Sequence, residues 1–264
     1  LVKMAGALPA VGLTAAGGAL LALVGYRWLF PAAACLGMAA SLRLRRLPVP
    51  AAPGGVPERT RLGGVRAALR EDARFRRLLL VHFLFGWGVW MQLPANPLVV
   101  ADVVQATTTQ LGLVTAVGTA AGIAGSGFWG RVVDRAGPVR ALRAVYLVGA
   151  ALPLCVYAAR SPWLLVGASI SEGLMASGLE LVWLAALVDL APHGRVAQYV
   201  AISTTLVGVR GVAAPLASAL VIHALGVHAV YLIAAAVMLA AAWLLHRQTR
   251  PAAVGLACAP APVR

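Results

Sequence analysis

Long apolar segments recur along this chain, and each is separated from the next by a short turn or a charged loop. A bilayer core about 30 Å thick is crossed by about 20 residues in an α-helix, and several segments reach that length. Because 61% of the 264 residues are hydrophobic and only 11% are charged, a soluble domain is excluded. The sequence therefore predicts an all-α polytopic membrane protein with about eight transmembrane helices.

The predicted spans cover residues 4–24, 28–42, 78–100, 109–129, 141–159, 162–188, 197–223 and 228–245. In the third span, Pro94 and Pro97 remove backbone donors and are expected to interrupt the helix. In the fourth, Gly118, Gly122 and Gly125 form a face of small residues, which favours close packing against another helix in lipid.

The lysines and arginines collect on one side of this predicted arrangement. Of the 22, only Arg27, Arg160 and Arg210 fall elsewhere. Because cytoplasmic loops are enriched in these residues, both termini and the long polar loop are predicted to be cytoplasmic, in the inner or plasma membrane. Topology thus explains the net charge of +14, and no nucleic-acid partner is expected. The three scattered cysteines indicate neither a disulfide framework nor a metal site.

The polar loop before the third span has two parts. Its first half is rich in proline and glycine and is typical of a linker. Its second half, up to residue 77, places Leu62, Val65, Leu69 and Phe75 among many arginines. This pattern favours an amphipathic helix lying on the membrane surface, and a solvated linker is the alternative.

The turn from Gly130 to Arg140 reads GRVVDRAGPVR. It resembles the loop motif G-x-x-x-D-R-x-G-R-K of the major facilitator superfamily. Gly130, Asp134, Arg135 and Gly137 match that motif, whereas Pro138 and Val139 stand where the family has a basic pair. By this resemblance, the four matching residues form a conformational latch that holds the cytoplasmic side closed. The alternative is a loop that only sets topology.

The resemblance covers nearly the whole chain and corresponds to spans five to twelve of a bacterial facilitator of undefined substrate. It implies a secondary active transporter that moves a small solute by alternating access, without a cofactor, and that is monomeric when full length. Proton-coupled efflux stays open, as does the presence of the first four spans in the complete gene product. The implied divisions are residues 1–45 (last two spans of the N-terminal half), 46–77 (cytoplasmic central loop), 78–246 (six-span C-terminal half) and 247–264 (basic cytoplasmic tail).

Charged residues inside predicted spans are the leading candidates for a substrate or proton site. These residues are Glu172, Glu180 and Arg210. Glu172 and Arg210 fall at a similar depth, so they are expected to be able to pair. The alternatives are a structural ion pair, an arginine bound to broken backbone and, for Glu180, a bond between helices. A pair at this depth also leaves open an intramembrane enzyme.

Residues near the proline break are further candidates. Trp87 and Gln92 precede the prolines and are expected to contact substrate, with an interfacial aromatic belt as the alternative for the tryptophans. His82 either titrates near neutrality or is a packed neutral histidine. No sequence motif indicates a catalytic nucleophile, a phosphate-binding loop or a metal site, so no catalytic residue is predicted.

Overall fold

The computed structural model describes residues 26–44, 68–192 and 194–249. Its elements are α1 (Tyr26–Leu44), α2 (Ala73–Met91), α3 (Ala95–Leu98), a π-helix (Val99–Val104), α4 (Thr108–Ala136), α5 (Pro138–Ala158), a 3-10 turn (Pro162–Leu164), α6 (Leu165–Leu190), α7 (Val196–Leu225) and α8 (Val227–Thr249). All regular elements of the described ranges are helical, which confirms the predicted all-α polytopic fold.

Six segments of the described residues are long and apolar enough to cross a membrane. They are Ala73–Val104, Thr108–Ala136, Pro138–Ala158, Pro162–Leu190, Val196–Leu225 and Val227–Gln248. These correspond to the last six predicted spans. Helix α1 covers the predicted second span, but it is not one of the six and carries Arg27 and Arg43 near its ends. The predicted first span lies outside the described residues.

The first of the six spans is broken, as its prolines predict. Helix α2 ends at Met91, a turn follows, and Pro94 caps the short helix α3. The carbonyl of Gln92 accepts hydrogen bonds from the backbone N–H groups of Ala95 and Asn96, at 3.0 and 2.9 Å. The span therefore continues past the break with its backbone partly satisfied inside the protein.

Local signals explain where several helices begin and end. Asp72 caps α2 by accepting the N–H groups of Arg74 and Phe75. Thr107 and Gln110 form a reciprocal capping box at the start of α4. Gly137 ends α4 and precedes α5 with a φ of 84°, a conformation that favours glycine, and Pro138 then starts α5 where no backbone donor is needed.

The bundle packs around α6 and α8. Helix α6 lies against α4 and α5, while α8 lies against α2 and α5. The largest fully buried side chains include Phe85, Trp129, Tyr146, Tyr231 and Met238. Helix α7 is the least enclosed of the six spans, because 17% of the residues in its most apolar stretch are buried, against 56% in that of the broken span. One side of α7 is therefore presented to the surroundings of the bundle.

The residues around the start of α2 pack against the bundle. Ala68 and Phe75 are buried, and they pack with Leu187, Tyr199 and Ile202 of the bundle. Asp72 also accepts a hydrogen bond from the hydroxyl of Tyr199, at 3.0 Å. The described part of this segment is therefore helical and packed rather than a solvated linker, and its position on the membrane surface stays a prediction.

Candidate functional site

Helices α4 and α6 line a cavity of about 400 Å³ within the spanning part of the bundle. Its α4 wall includes Gly118, Gly122 and Ile123, and its α6 wall includes Glu172 and Glu180. We call it the acidic cavity. Glu172 and Glu180 are the charged residues among those lining it, and both side chains are exposed. Two of the predicted site residues are therefore brought together.

Small residues let the backbones of α4 and α6 approach closely beside this cavity. A Cβ atom on Gly118 would lie 2.8 Å from the carbonyl oxygen of Ser169, and one on Gly173 would overlap the carbonyl oxygen of Gly118. A Cβ atom on Gly122 would lie 3.2 Å from the carbonyl oxygen of Gly173. The predicted small-residue face of α4 is thus confirmed as a helix contact.

Three of the five hydroxyl groups along the acidic cavity are bonded within their own helices. Thr119 donates to the carbonyl of Thr115 at 2.9 Å, and Ser126 donates to that of Gly122 at 3.1 Å. Ser177 donates to the carbonyl of Leu174 at 3.1 Å. The hydrogens of these three hydroxyl groups are engaged, and the carboxylates of Glu172 and Glu180 are the charged groups of the lining that can recognise a positively charged ligand.

Arg210 lies elsewhere, buried between α7 and α2, with 7% of its surface exposed. Its Nη1 donates to the backbone carbonyl of His82 at 2.8 Å. Its Nε has no hydrogen-bond partner among the described residues. Glycine at position 86 makes room for the guanidinium, which would overlap a Cβ atom there. Arg210 therefore joins two spans through a backbone bond.

A cluster of rings surrounds this contact. The Nδ1 atom of His82 is 2.8 Å from the hydroxyl of Tyr146, and the His82 ring stacks on Trp183 with centroids 3.6 Å apart. Trp183 in turn donates to the hydroxyl of Ser203 at 3.1 Å, and Phe85 stacks on Tyr146 at 4.0 Å. The cluster links α2, α5, α6 and α7. His82 is thus a packed histidine, and sequence reasoning singled out neither Tyr146 nor Trp183.

The possible pairing of Glu172 with Arg210 is not formed in this structure. Glu172 faces the acidic cavity beside α4, whereas Arg210 faces α2 at His82 and Gly86. No ion pair joins them within the part of the chain that the structure describes. The two side chains leave their helices toward different neighbours, α4 for Glu172 and α2 for Arg210. The alternative of an arginine bound to backbone agrees with the observed hydrogen bond.

Neither Trp87 nor Gln92 lines the acidic cavity. Gln92 is 2% exposed, and its Nε2 donates to the carbonyl of Gly88 at 3.0 Å and lies 3.7 Å from the sulfur of Met238 on α8. Trp87 is half-buried and packs at a tilt against Phe83, with centroids 5.8 Å apart. Gln92 instead supports the broken backbone where α2 ends.

The predicted latch lies in the turn between α4 and α5. Asp134 and Arg135 are exposed in the last turn of α4, and Gly137 supplies the positive φ that reverses the chain. A Cβ atom on Gly130 would meet nothing within 4 Å, so the structure shows no close approach there. Asp134 makes no ion pair with any described arginine. In this structure, Asp134 therefore has no ionic partner among the described residues that would hold a latch closed.

The remaining candidates for chemistry are few. No group of three histidine, cysteine, aspartate or glutamate residues in the described ranges could hold a metal ion. Cys155 is a free thiol in α5. The site is thus defined by carboxylates and helix packing.

Comparison with known proteins points to one family. The family model described as Major Facilitator Superfamily matches residues 78–257, more than half of the chain. The matched segment takes in nearly all of the six spans together with the acidic cavity and the Arg210 contact. None of the curated proteins compared with the chain is a match.

Proposed function

Because the chain belongs to the major facilitator superfamily and is a membrane transporter, we propose that it moves a small, positively charged solute by alternating access, in exchange for protons. In this proposal the acidic cavity is part of the translocation path. Glu172 and Glu180 are the residues that bind the solute and the proton. This proposal rests on the position of both carboxylates on one wall of a cavity between two spans.

The physical reason is the cost of charge at membrane depth. Acidic residues inside spans are costly unless they face a cavity or a partner, and they commonly mark ion or substrate pathways. Glu172 is exposed to the cavity and forms no ion pair with a described residue. A cation entering this low-dielectric surrounding would be attracted more strongly than in water.

The spacing of the two carboxylates supports a division of labour between them. They are separated by eight residues along α6, which at 1.5 Å rise per residue is about 12 Å. A solute bound at one carboxylate therefore leaves the other accessible to a proton. Exchange requires that binding of the solute lowers the affinity for the proton, and the reverse. Two carboxylates in one cavity meet this requirement, because a cation bound at one weakens the attraction of the other for a second positive charge.

We also propose an orientation and a division of the chain. The ends of the helices that carry Arg74, Arg77, Arg135, Arg140 and Arg247 are called the basic end, and we place it in the cytoplasm of the cell's inner or plasma membrane. Residues 78–246 are then the six-span C-terminal half, preceded by the central loop 46–77. The turn with Gly130, Asp134, Arg135 and Gly137 acts as the latch in a state in which Asp134 gains a partner.

The intramembrane enzyme considered from the sequence required Glu172 and Arg210 in one polar site. Their separation leaves that candidate without its reacting pair. Transport is therefore the function that the geometry supports best.

Accumulation of a model cation tests the proposal. Inside-out vesicles from cells producing the full-length protein are energised with a proton gradient and supplied with tetraphenylphosphonium or ethidium. Proton-dependent accumulation above that of vesicles lacking the protein, abolished when the gradient is collapsed, is expected. Equal accumulation of both cations with and without the protein would contradict a cation–proton exchanger.

A further inference from the structure

A second cavity, of about 650 Å³, opens at the basic end between α2, α5, α6 and α8. Its charged and polar lining consists of Arg74, Arg77, Arg140, Asp189 and Gln248. We call it the basic cavity. It shares no lining residue with the acidic cavity.

The positive charges of the arginines in the basic cavity are not neutralised by ion pairs with described residues. Within the described ranges, none of the guanidinium groups of Arg74, Arg77 and Arg140 forms an ion pair or a hydrogen bond. Asp189 is the single carboxylate of the lining and likewise makes no ion pair with a described residue. Three cations and one anion around one space leave a net positive field, which attracts an anion.

The start of α5 adds to this field. Gly137, Pro138 and Val139 line the cavity, so the N-terminus of α5 faces it. No side chain caps this helix. The first-turn N–H groups of a helix carry partial positive charge and bind anions such as phosphate. Guanidinium groups bind phosphate oxygens through paired, charge-assisted hydrogen bonds.

The position of the cavity suits a phosphate at the membrane surface. It lies where the spans end, which is the depth of lipid headgroups. We infer that the basic cavity binds a phosphate group, carried either by an anionic lipid headgroup or by a soluble phosphate. This site is separate from the carboxylates proposed to bind the cation, because it is lined by other residues at the ends of the helices.

Thermal stability of the full-length protein in dodecyl maltoside, a detergent without phosphate, tests the site. Short-chain phosphatidylglycerol, inorganic phosphate or an equal ionic strength of sodium chloride is added, and the melting temperature is measured. The double variant R77Q/R140Q is compared with R70Q/R131Q, which removes the same charge from exposed arginines outside the cavity. We expect half-maximal stabilisation by the phosphate compound to need about tenfold more ligand in R77Q/R140Q, with R70Q/R131Q like wild type.

The possible outcomes distinguish a lipid headgroup from a soluble phosphate as the ligand. Stabilisation by phosphatidylglycerol alone identifies a lipid headgroup, and stabilisation by inorganic phosphate identifies a soluble ligand. No stabilisation beyond sodium chloride, or equal weakening in both double variants, overturns the inference. If R77Q/R140Q does not melt cooperatively, R140Q and the charge-retaining R140K are compared instead. R140K should then bind more tightly than R140Q, and equal binding by the two would overturn the inference.

Discussion

The guanidinium of Arg210 occupies the space that a side chain at position 86 would need, so Gly86 and Arg210 are complementary in size. The arginine bonds the carbonyl of His82, one turn before this glycine. The contact fixes α7 against α2 and buries a cation without a described carboxylate partner. A buried charge of this kind persists because hydrogen bonds and packing constrain it.

The Gly86→Ala variant should be destabilised, because its methyl group displaces the guanidinium. Overpacking of this kind costs about 1–3 kcal/mol. The melting temperature of the detergent-purified protein is the measurement. Gly127→Ala is the matched control, since a Cβ atom at Gly127 meets nothing within 4 Å. The control should be neutral or slightly stabilised.

A double-mutant cycle with Arg210→Ala identifies the cause. Without the guanidinium, Gly86→Ala should cost little, so the two effects should deviate from additivity by about 0.5–3 kcal/mol. Additive effects would show that the alanine acts through another contact.

A second prediction concerns the packing of α4 against α6. Gly173→Ala would overlap the carbonyl oxygen of Gly118 and force the helices apart, at a cost of about 1–3 kcal/mol. Gly208→Ala in α7 is the control, because its Cβ atom would lie in open space. A fall in melting temperature for G173A but not for G208A is expected. Equal melting of the two would contradict a close backbone contact at this point.

Much of the fold was predictable from the sequence, because hydropathy and length are properties of the chain itself. The six later spans, the break at Pro94 and the glycine face of Gly118 and Gly122 all follow from local chemistry. The site was less predictable. An apolar helix has no polar face in its sequence, so spacing cannot tell which way a side chain points. The sequence therefore allowed Glu172 and Arg210 to pair, although they face different helices.

The ring cluster around His82 could not be predicted from the sequence either. His82, Tyr146 and Trp183 come from three helices, and no spacing in the sequence joins them. Gln92 was expected at a substrate site because of its polarity, yet it is buried beside the helix break, with its Oε1 lacking a described partner. A polar residue near a proline can thus serve the backbone rather than a ligand.

The proposed orientation is tested by labelling. Asp102 lies two residues before the end of the first of the six spans and Gln248 ends the last, at opposite ends of the bundle. In a background without Cys35, Cys155 and Cys258, D102C should react with a membrane-impermeant maleimide in intact cells. Q248C should react only after the membrane is opened. Labelling of Q248C in intact cells would reverse the proposed topology.

The latch is tested by Asp134→Asn in the full-length protein. If Asp134 gains a partner in one transport state only, its removal changes the balance of states, and a difference of about 1.4 kcal/mol is about tenfold. Transport should fall while the melting temperature stays unchanged, because Asp134 is exposed and without an ion pair to described residues here. Wild-type transport by D134N would indicate that the turn serves topology alone.

The central claim is that carboxylates of the acidic cavity bind the cation and the proton. Its most direct measurement compares proton-driven accumulation of tetraphenylphosphonium by wild type, E172Q and D102N in the full-length protein. Asp102 is an exposed carboxylate outside the cavity, so D102N makes the same chemical change elsewhere. We expect at least about tenfold lower accumulation for E172Q, with an unchanged melting temperature, and normal accumulation for D102N. Accumulation by E172Q at the wild-type level would contradict a binding role for Glu172.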